Sequence, residues 1–555
     1  MRRIQLLACI LTLTLFTAQA KEGFLKGKIL KIDTKDMVAE RSGSNYNIGL
    51  SGISSTHSIS LLSLERAIER AAKDKDIAMI YLNTDKFSAG LANLEEIREY
   101  LKRFSAAGKP VIAYGASYGN GSYYLASVAD RVFLHTKGSG HLTGMSSTQF
   151  FLKDALDTLG IDVQLIRHGK YKSAGETYIC NDISPENREQ LEEMMSSIWG
   201  SVIEDIAACR GIKAEDLNSW IDNLEIGTAE SWAEKGLVDG LKYRDEMEDY
   251  LCHLFGTTFP EDVKTVDIKE YIKKEKKGPS SKKVAVIYAN GEINRSSGEI
   301  VGEKLAHEIT KARRDSSVKA VVFRVNSPGG EVVASDIIRR EIELLKKYKP
   351  VVASYGSYAA SGGYLISAAC DKIYVDNATL TGSIGVFGML PSFGRAIKKN
   401  LKVNPVTVNS TEHSGMFSGM QPLNEEEQAW YQQEIEGIYD DFVSIVAEGR
   451  NLSKEYVDSI GQGRVWSGID ALKIKLADEK GSLLEAIKDA AGRAELKKYK
   501  IVAYPEKKDF FESLLEGDSD AQKDKPLVRE LMQPGFKAVA RMPYITIDSE
   551  NIFAK

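Results

Sequence analysis

The chain has 555 residues, 43% of them hydrophobic, with 73 Lys and Arg set against 78 Asp and Glu for a formal charge of -5. That apolar content is enough to bury substantial cores, and so balanced a charge speaks against a nucleic-acid surface. Five cysteines without a CxxC and seven histidines without metal-ligand spacing speak against a metal site.

In chain order, Arg2 and Arg3 precede a mostly apolar stretch from Ile4 to Ala20 that ends Ala-Gln-Ala before Lys21, the layout of a secretory signal. The protein is therefore expected to be exported. Residues 1–20 are either a cleaved signal peptide or a short membrane anchor. Gln5, Thr12, Thr14, Thr17 and Gln19 favour cleavage, because they interrupt a stretch already shorter than the about 20 residues a spanning helix needs. Cys9 follows Leu-Leu-Ala as an acylated cysteine would, but too little apolar sequence precedes it, and it reads as part of the signal's core. Cys180, Cys209, Cys252 and Cys370 read as buried thiols, although an oxidising compartment permits one or two disulfides.

Beyond the signal the sequence repeats itself. Pro110 to Tyr118 matches Pro350 to Tyr358 in spacing, each opening on an apolar run, and YGNGSYYL from Tyr118 answers YAASGGY from Tyr358. ADRVFL at Ala129 to Leu134 answers CDKIYV at Cys370 to Val375. Leu191, Met195, Ile198 and Val202 recur as Tyr431, Ile435, Ile438 and Phe442, a spacing that predicts one apolar stripe on a helix in each copy. Both helices are expected to stop at a left-handed residue, Gly211 after Arg210 and Asn451 after Arg450. A duplication organises the chain: residues 21–260 form an N-terminal repeat, 261–283 a charged linker or solvated helix, 284–505 a C-terminal repeat and 506–555 a charged tail. The apolar Met542 to Ile547 in that tail either packs on a neighbouring subunit or is disordered.

In the second copy, Val284–Tyr288, Ala320–Val325 and Val351–Tyr355 read as buried strands, with helices near Lys304–Arg314 and Ser335–Lys347. Strands alternating with helices predict an α/β fold with a mostly parallel sheet and crossover connections.

Three loops of this copy carry chemistry. NSPGG, Asn326 to Gly330, follows a strand, and its paired glycines leave backbone N–H groups open to an oxyanion. Ser361 begins Ser-Gly-Gly, where small neighbours expose the hydroxyl and Gly362 supplies a second N–H; the first copy has Gly121 in its place. Leu380 to Gly385 makes another small-residue turn around Ser383. A serine hydroxyl needs a base, and no histidine stands in a recognisable triad order. The candidates are His413 and, in the first copy, the lysines of HGKYKSAGE, Lys170 and Lys172. By repeat register Lys172 falls opposite His413, so one copy would supply the hydroxyl and the other the amine.

NSPGG, YAASGGY, LTGSIGVFG at Leu380 to Gly388 and GKYKSA at Gly169 to Ala174 together closely resemble the signal peptide peptidase A family in its long, duplicated form, over about residues 45 to 500. The resemblance implies two tandem Clp-protease/crotonase-like domains and a serine peptidase with a Ser/Lys dyad. It implies Ser361 as nucleophile, Lys172 as general base in preference to Lys170, Ser383 as the hydroxyl that orients the amine, and Gly330 and Gly362 as oxyanion donors. It further implies no metal or cofactor, remnant signal peptides and other short or unfolded chains as substrates, a tetrameric assembly, and a place in the bacterial cell envelope, at the inner membrane facing the periplasm or free in it. The short N-terminal apolar segment departs from the longer anchor common in the family. Two other readings stand beside this one: a crotonase-type acyl-CoA enzyme, in which Glu331 could act as acid or base, and an inactive peptidase-like scaffold.

Lysine's ordinary pKa of about 10.4 leaves almost none neutral at pH 7, so a working base needs it lowered by roughly 3, equivalent to about 4 kcal/mol. Burial in apolar surroundings supplies such a shift.

Overall fold

A computed structural model describes residues 24–33, 38–41, 44–49, 52–84, 89–275, 280–506 and 538–541. The expected signal at 1–20 and the apolar run 542–547 lie outside them.

The first copy builds a parallel sheet from β1 (Lys28–Asp33), β2 (Ile77–Asn83), β3 (Val111–Tyr118) and β4 (Arg131–Gly140). Helices α1 (Leu61–Lys73), α2 (Leu91–Ala106) and the short α3 (Asn120–Ala126) lie between successive strands. The next strand, β5 (Asp162–His168), leaves this sheet, and the long helix α4 (Pro185–Arg210) follows it. β6 (Gly240–Leu241) and β7 (Thr265–Asp267) return to complete the order β6-β4-β3-β2-β1-β7. β7 and the helix α5 (Ile268–Lys273) fall inside the stretch expected to be a charged linker or solvated helix. Ile268 and Tyr271 are buried there, and that pair of anchors is why the segment folds onto the first sheet despite its charge.

The second copy begins with β8 (Lys283–Asn290), the two short strands β9 (Ile293–Asn294) and β10 (Ile300–Val301), and helix α6 (Gly302–Arg314). Then come β11 (Val318–Ser327), β12 (Gly329–Glu331), α7 (Val332–Lys346), β13 (Val351–Ala360) and the four-residue helix α8 (Gly362–Leu365). They are followed by β14 (Lys372–Val375), β15 (Leu380–Gly382), β16 (Val386–Ser392) and the long helix α9 (Glu425–Arg450). β17 (Val465–Ser467), β18 (Glu479–Lys480), α10 (Leu483–Arg493), β19 (Lys500–Tyr504) and, in the tail, β20 (Ala538–Arg541) close the series. The main sheet runs β17-β15-β13-β11-β8-β19, with β14 beside β13 and β18 beside β14.

Alternation along these strands joins the copies. Ala320 and Val322 of β11 enter one core shared with the first copy's Leu64, Ile68, Leu101 and Phe104, whereas Val321, Phe323 and Val325 face a second core under α6, α7 and α9. A strand buried on both faces reads as an unbroken apolar run, which is what the sequence shows. The long helices end as expected, Gly211 at φ 68° and Asn451 at φ 53°. Their stripes differ in one position each: Met194 and Tyr439 are buried, whereas Met195 and Ile438, expected in the stripe, are half-buried against the neighbouring cores.

A third sheet mixes the copies, in the order β10-β9-β12-β20-β16-β5. β5 of the first copy runs antiparallel to β16 of the second through seven residue pairs, from Val386 opposite His168 to Ser392 opposite Asp162. The cysteines at 180, 209, 252 and 370 are all free thiols; Cys252 and Cys370 are buried, while Cys180 and Cys209 are half-buried rather than buried. No helix among the described residues is long and apolar enough to cross a membrane.

Candidate active site

Ser361 ends β13 at the first turn of α8. Its backbone takes φ 54° and ψ -119°, a region that L-residues populate rarely and at a cost of order 1–3 kcal/mol. The surroundings enforce it: the Ser361 N–H donates to the Gly382 carbonyl at 2.8 Å and its carbonyl accepts the Leu365 N–H at 2.9 Å. Gly363 packs so tightly on the NSPGG loop that a Cβ there would lie 2.5 Å from the Ser327 carbonyl oxygen. The two glycine loops therefore meet. In β12, Gly330 has φ 157° and would drive a Cβ to within 1.9 Å of the Ile293 carbonyl oxygen, which excludes any side chain.

Lys172 arrives from the other copy. The β5–β16 ladder carries the chain across to the second copy, and after it Gly169 (φ 99°) turns against Gln462, whose carbonyl accepts the Tyr171 N–H at 2.9 Å. Arg167 donates to the Lys172 carbonyl at 2.7 Å, and Gln190 of α4 donates to the Tyr171 carbonyl at 3.1 Å. Lys172 Nζ then lies 2.8 Å from Ser361 Oγ, 3.0 Å from Ser383 Oγ and 3.1 Å from the Ser383 carbonyl oxygen. Ser361, Lys172 and Ser383 are each 0% exposed, so the small neighbours of Ser361 do not leave its hydroxyl open as expected: the two glycine loops and the lysine close over it. Ser383 has φ 51° and is pinned by its N–H to the Arg464 carbonyl at 2.7 Å.

Among the described residues Lys172 pairs with no carboxylate, and burial alone holds its amine well below the usual lysine range. Three contacts suit a neutral amine, whose two N–H bonds can serve the two Ser383 oxygens while its lone pair faces the Ser361 hydroxyl. Lys170 is exposed, with its ammonium 4.9 Å from the centre of the Tyr171 ring. His413 sits on the surface bound to Glu427 at 3.1 Å. Neither of these alternative bases approaches Ser361.

Two glycines make the lysine's room: Gly385, which closes the small-residue turn around Ser383, and Gly463, which sequence reading missed. A Cβ on Gly463 would come 2.5 Å from Lys172 Cβ, and one on Gly385 would come 3.2 Å from Lys172 Cδ. Gly463 also requires φ 79°. The Gly-Gln-Gly at 461–463 was the available signal, a small-residue turn of the kind noticed elsewhere, but nothing local says what it packs against.

The corresponding place in the first copy holds a cavity of about 130 Å³ lined by Gly90, Leu91, Asn120, Gly121, Trp199 and Tyr358. Gly90 and Gly121 stand 240 residues before Gly330 and Ser361. Gly90 has an ordinary φ of -60°, so neither the strained glycine nor the hydroxyl is repeated there.

The slot beside Ser361's loops is one strand wide. β20 fills it, antiparallel to both neighbours: Gly330 stands opposite Ala540 and Glu331 opposite Val539 on one side, Phe387 opposite Val539 and Gly388 opposite Ala538 on the other. Two flanking strands that each pair with a third at about 4.8 Å leave room for one extended backbone.

The sequence profile of peptidase family S49 matches residues 103–254 and 343–497. The chain belongs to peptidase family S49. It is 38% identical over 448 residues to Protease 4 of Haemophilus influenzae, covering 78% of this chain and 72% of that protein. It is 32% identical over 537 residues to Protease 4 of Salmonella typhi, covering 93% and 85%. It is 32% identical over 483 residues to the chloroplastic serine protease SPPA of Arabidopsis thaliana, covering 85% and 70%. The S49 chain is thus a serine peptidase of the signal peptide peptidase A type, with an α/β fold whose family match falls on both copies.

Proposed function

We propose that Ser361 is the nucleophile and Lys172 the general base of a Ser/Lys peptidase whose site is completed across the two copies. The observation that carries this reading is the 2.8 Å contact between two fully buried side chains that lie 189 residues apart in sequence. Neutral Lys172 takes the Ser361 proton while Oγ bonds to the substrate carbonyl carbon, whose π pair moves onto oxygen. The oxyanion is received by the N–H groups of Gly330 and Gly362. Lys172, now an ammonium, gives its proton to the leaving amine nitrogen as the C–N bond breaks, and Ser383 keeps the amine aimed throughout. Neutral Lys172 next deprotonates a water that attacks the acyl ester, and the ammonium returns a proton to Ser361. An acyl-CoA reaction would give this serine–lysine contact nothing to do.

The substrate class is short or unfolded peptides, remnant signal peptides among them. The one-strand slot supports this, because a folded chain does not present a free extended edge to it and an extended peptide does. The reading places the protein in the bacterial cell envelope, at the inner membrane facing the periplasm or free in the periplasm, as a homotetramer that encloses its sites.

Ser361→Ala and Lys172→Ala are each expected to abolish hydrolysis of a peptide library, read by mass spectrometry, with the circular dichroism spectrum unchanged. Fluorophosphonate labelling should disappear with Ser361→Ala. Near-normal turnover by Lys172→Ala would falsify the base assignment.

A further inference from the structure

Glu95 belongs to the copy without a nucleophile, yet its side chain ends in the turn of the other copy that leads to Ser383. It lies on α2 and is 6% exposed. One carboxylate oxygen accepts the Asn377 N–H at 2.7 Å and the other accepts the Ala378 N–H at 3.1 Å. Those amides belong to the turn 376–379 between β14 and β15. Ser201 of α4 grips the same turn, its Oγ accepting from Asn377 Nδ2 at 2.6 Å. From the second copy's side, Thr379 Oγ1 accepts the Asp376 N–H at 3.1 Å and donates to the Gly356 carbonyl at 2.9 Å. Immediately beyond the turn, β15 presents the Gly382 carbonyl to the Ser361 N–H and hands Ser383 to Lys172.

We infer that Glu95 is a positioning residue for the reaction: its ionised carboxylate holds the 376–379 turn, and through β15 it sets where Ser383 meets Lys172. This rests on the roles given above to Ser361, Lys172 and Ser383. The serine-less copy then contributes twice, once with the base and once with the brace.

Only the carboxylate can make both bonds. A protonated carboxyl keeps one accepting oxygen and turns the other into a donor, so one of the two amides loses its partner. Burial pushes Glu95 up to about 7, opposed by Lys480 of β18 and by the two amides it binds, and assisted by Asp205 of α4. The other charged or titratable groups around it are Glu96 and Arg98 on its own helix, Tyr124 of α3, Asp376 in the turn and Arg324 of β11. The second of the two bonds is therefore half-made near neutrality, made above it and lost below.

Two readouts on the full-length protein test this. For openings that free the turn while Glu95 stays buried on α2, hydrogen exchange of the peptide covering 376–383, corrected for the intrinsic rate at each pH, should show protection that climbs about tenfold between pH 6 and 8 in the wild type, the worth of one hydrogen bond to a charged group. Glu95→Gln should remain flat at the lower level. In peptide hydrolysis, Glu95→Gln should lose about tenfold in kcat at pH 8 with KM unchanged, converge on the wild type at pH 6, and lack the step near pH 7 while keeping the lysine's limb. Equal protection in both proteins at pH 8 overturns the inference, as does a uniform loss of kcat with the profile's shape intact. Should Glu95→Gln fail to fold, the wild-type exchange profile decides: a flat one overturns the brace. A wild type that shows the exchange step but cleaves no peptide overturns the Ser/Lys reading and leaves the turn's brace standing.

Discussion

Burying Lys172 with no counter-charge makes its ammonium the costly form, and the sign of the consequence is definite. Its amine is held below the ordinary lysine range in the folded protein, so between that lowered value and the unfolded one the unfolded chain binds more protons, and stability rises with pH across the window. Activity rises along the same limb, because only the neutral amine can accept the Ser361 proton. A kcat/KM profile of peptide hydrolysis from pH 5 to 10 should climb well before lysine's usual pKa; a flat profile with chemistry rate-limiting would count against Lys172 as base. The geometry is equally exacting. Gly463→Ala puts a methyl 2.5 Å from Lys172 Cβ at a φ of 79°. A displacement of about 1 Å costs on the order of 100-fold, so steady-state kinetics should show a kcat loss of that size, and the clash with the Lys172 backbone at a positive φ should lower the melting temperature as well. Ser361 and Lys172 could be nominated from the sequence, since a serine or a lysine set among small residues stands out within its own segment. Gly463 and Glu95 could not, because each acts through a partner far off in the chain.

At the level of elements, the site is assembled by strand pairing. The β5–β16 ladder transports the lysine into the second copy, and β12 and β16 leave between them a gap that the tail's β20 occupies. A strand held on both edges competes with any peptide that needs the same edges. Removing residues 531–555 is expected to raise the initial rate on short peptides several-fold, chiefly by lowering KM; unchanged KM in steady-state assays would show that β20 leaves the slot freely. The sequence predicted β8, β11, β13 and the long helices well, since buried parallel strands and amphipathic helices carry strong local periodicity. It did not predict β5 or β20 as members of one sheet. The partners of β5 and β20 come from distant segments, and nothing in a strand's own residues names its neighbour.

Alongside the shared core, a buried charge network spans the two copies. Arg324 of β11, fully buried, donates to Glu40 at 2.7 and 3.0 Å and to Glu96 at 2.8 Å, and both carboxylates come from the first copy. Glu65, also fully buried, faces Glu96, and desolvation followed by that neighbouring carboxylate pushes it well above the usual carboxylate range. Desolvation raises Asp376 in the same way. A carboxyl whose folded pKa is raised binds protons that the unfolded chain has released, so its contribution to stability falls as pH rises from the ordinary carboxylate range through the folded value. Glu65→Gln removes that penalty and gives Glu96 a donor. Thermal unfolding should show Tm raised by about 2 °C at pH 8 and the two proteins converging by pH 5; a lower Tm at pH 8 would mean that Glu65 is ionised and satisfied.

What the sequence determined by itself was the duplication, the alternation of strand and helix, the small-residue turn at Ser361 and the family, because each is written in local spacing or in motifs short enough to survive as words. What only the tertiary structure decided was which groups meet. A lysine and a serine 189 residues apart stand at 2.8 Å, a glutamate of one copy holds a turn of the other, and a tail strand lies in the slot. Those meetings depend on how the two copies pack across their shared core and which strands share an edge, and such long-range choices are settled by the summed burial of the whole chain rather than by any segment of it.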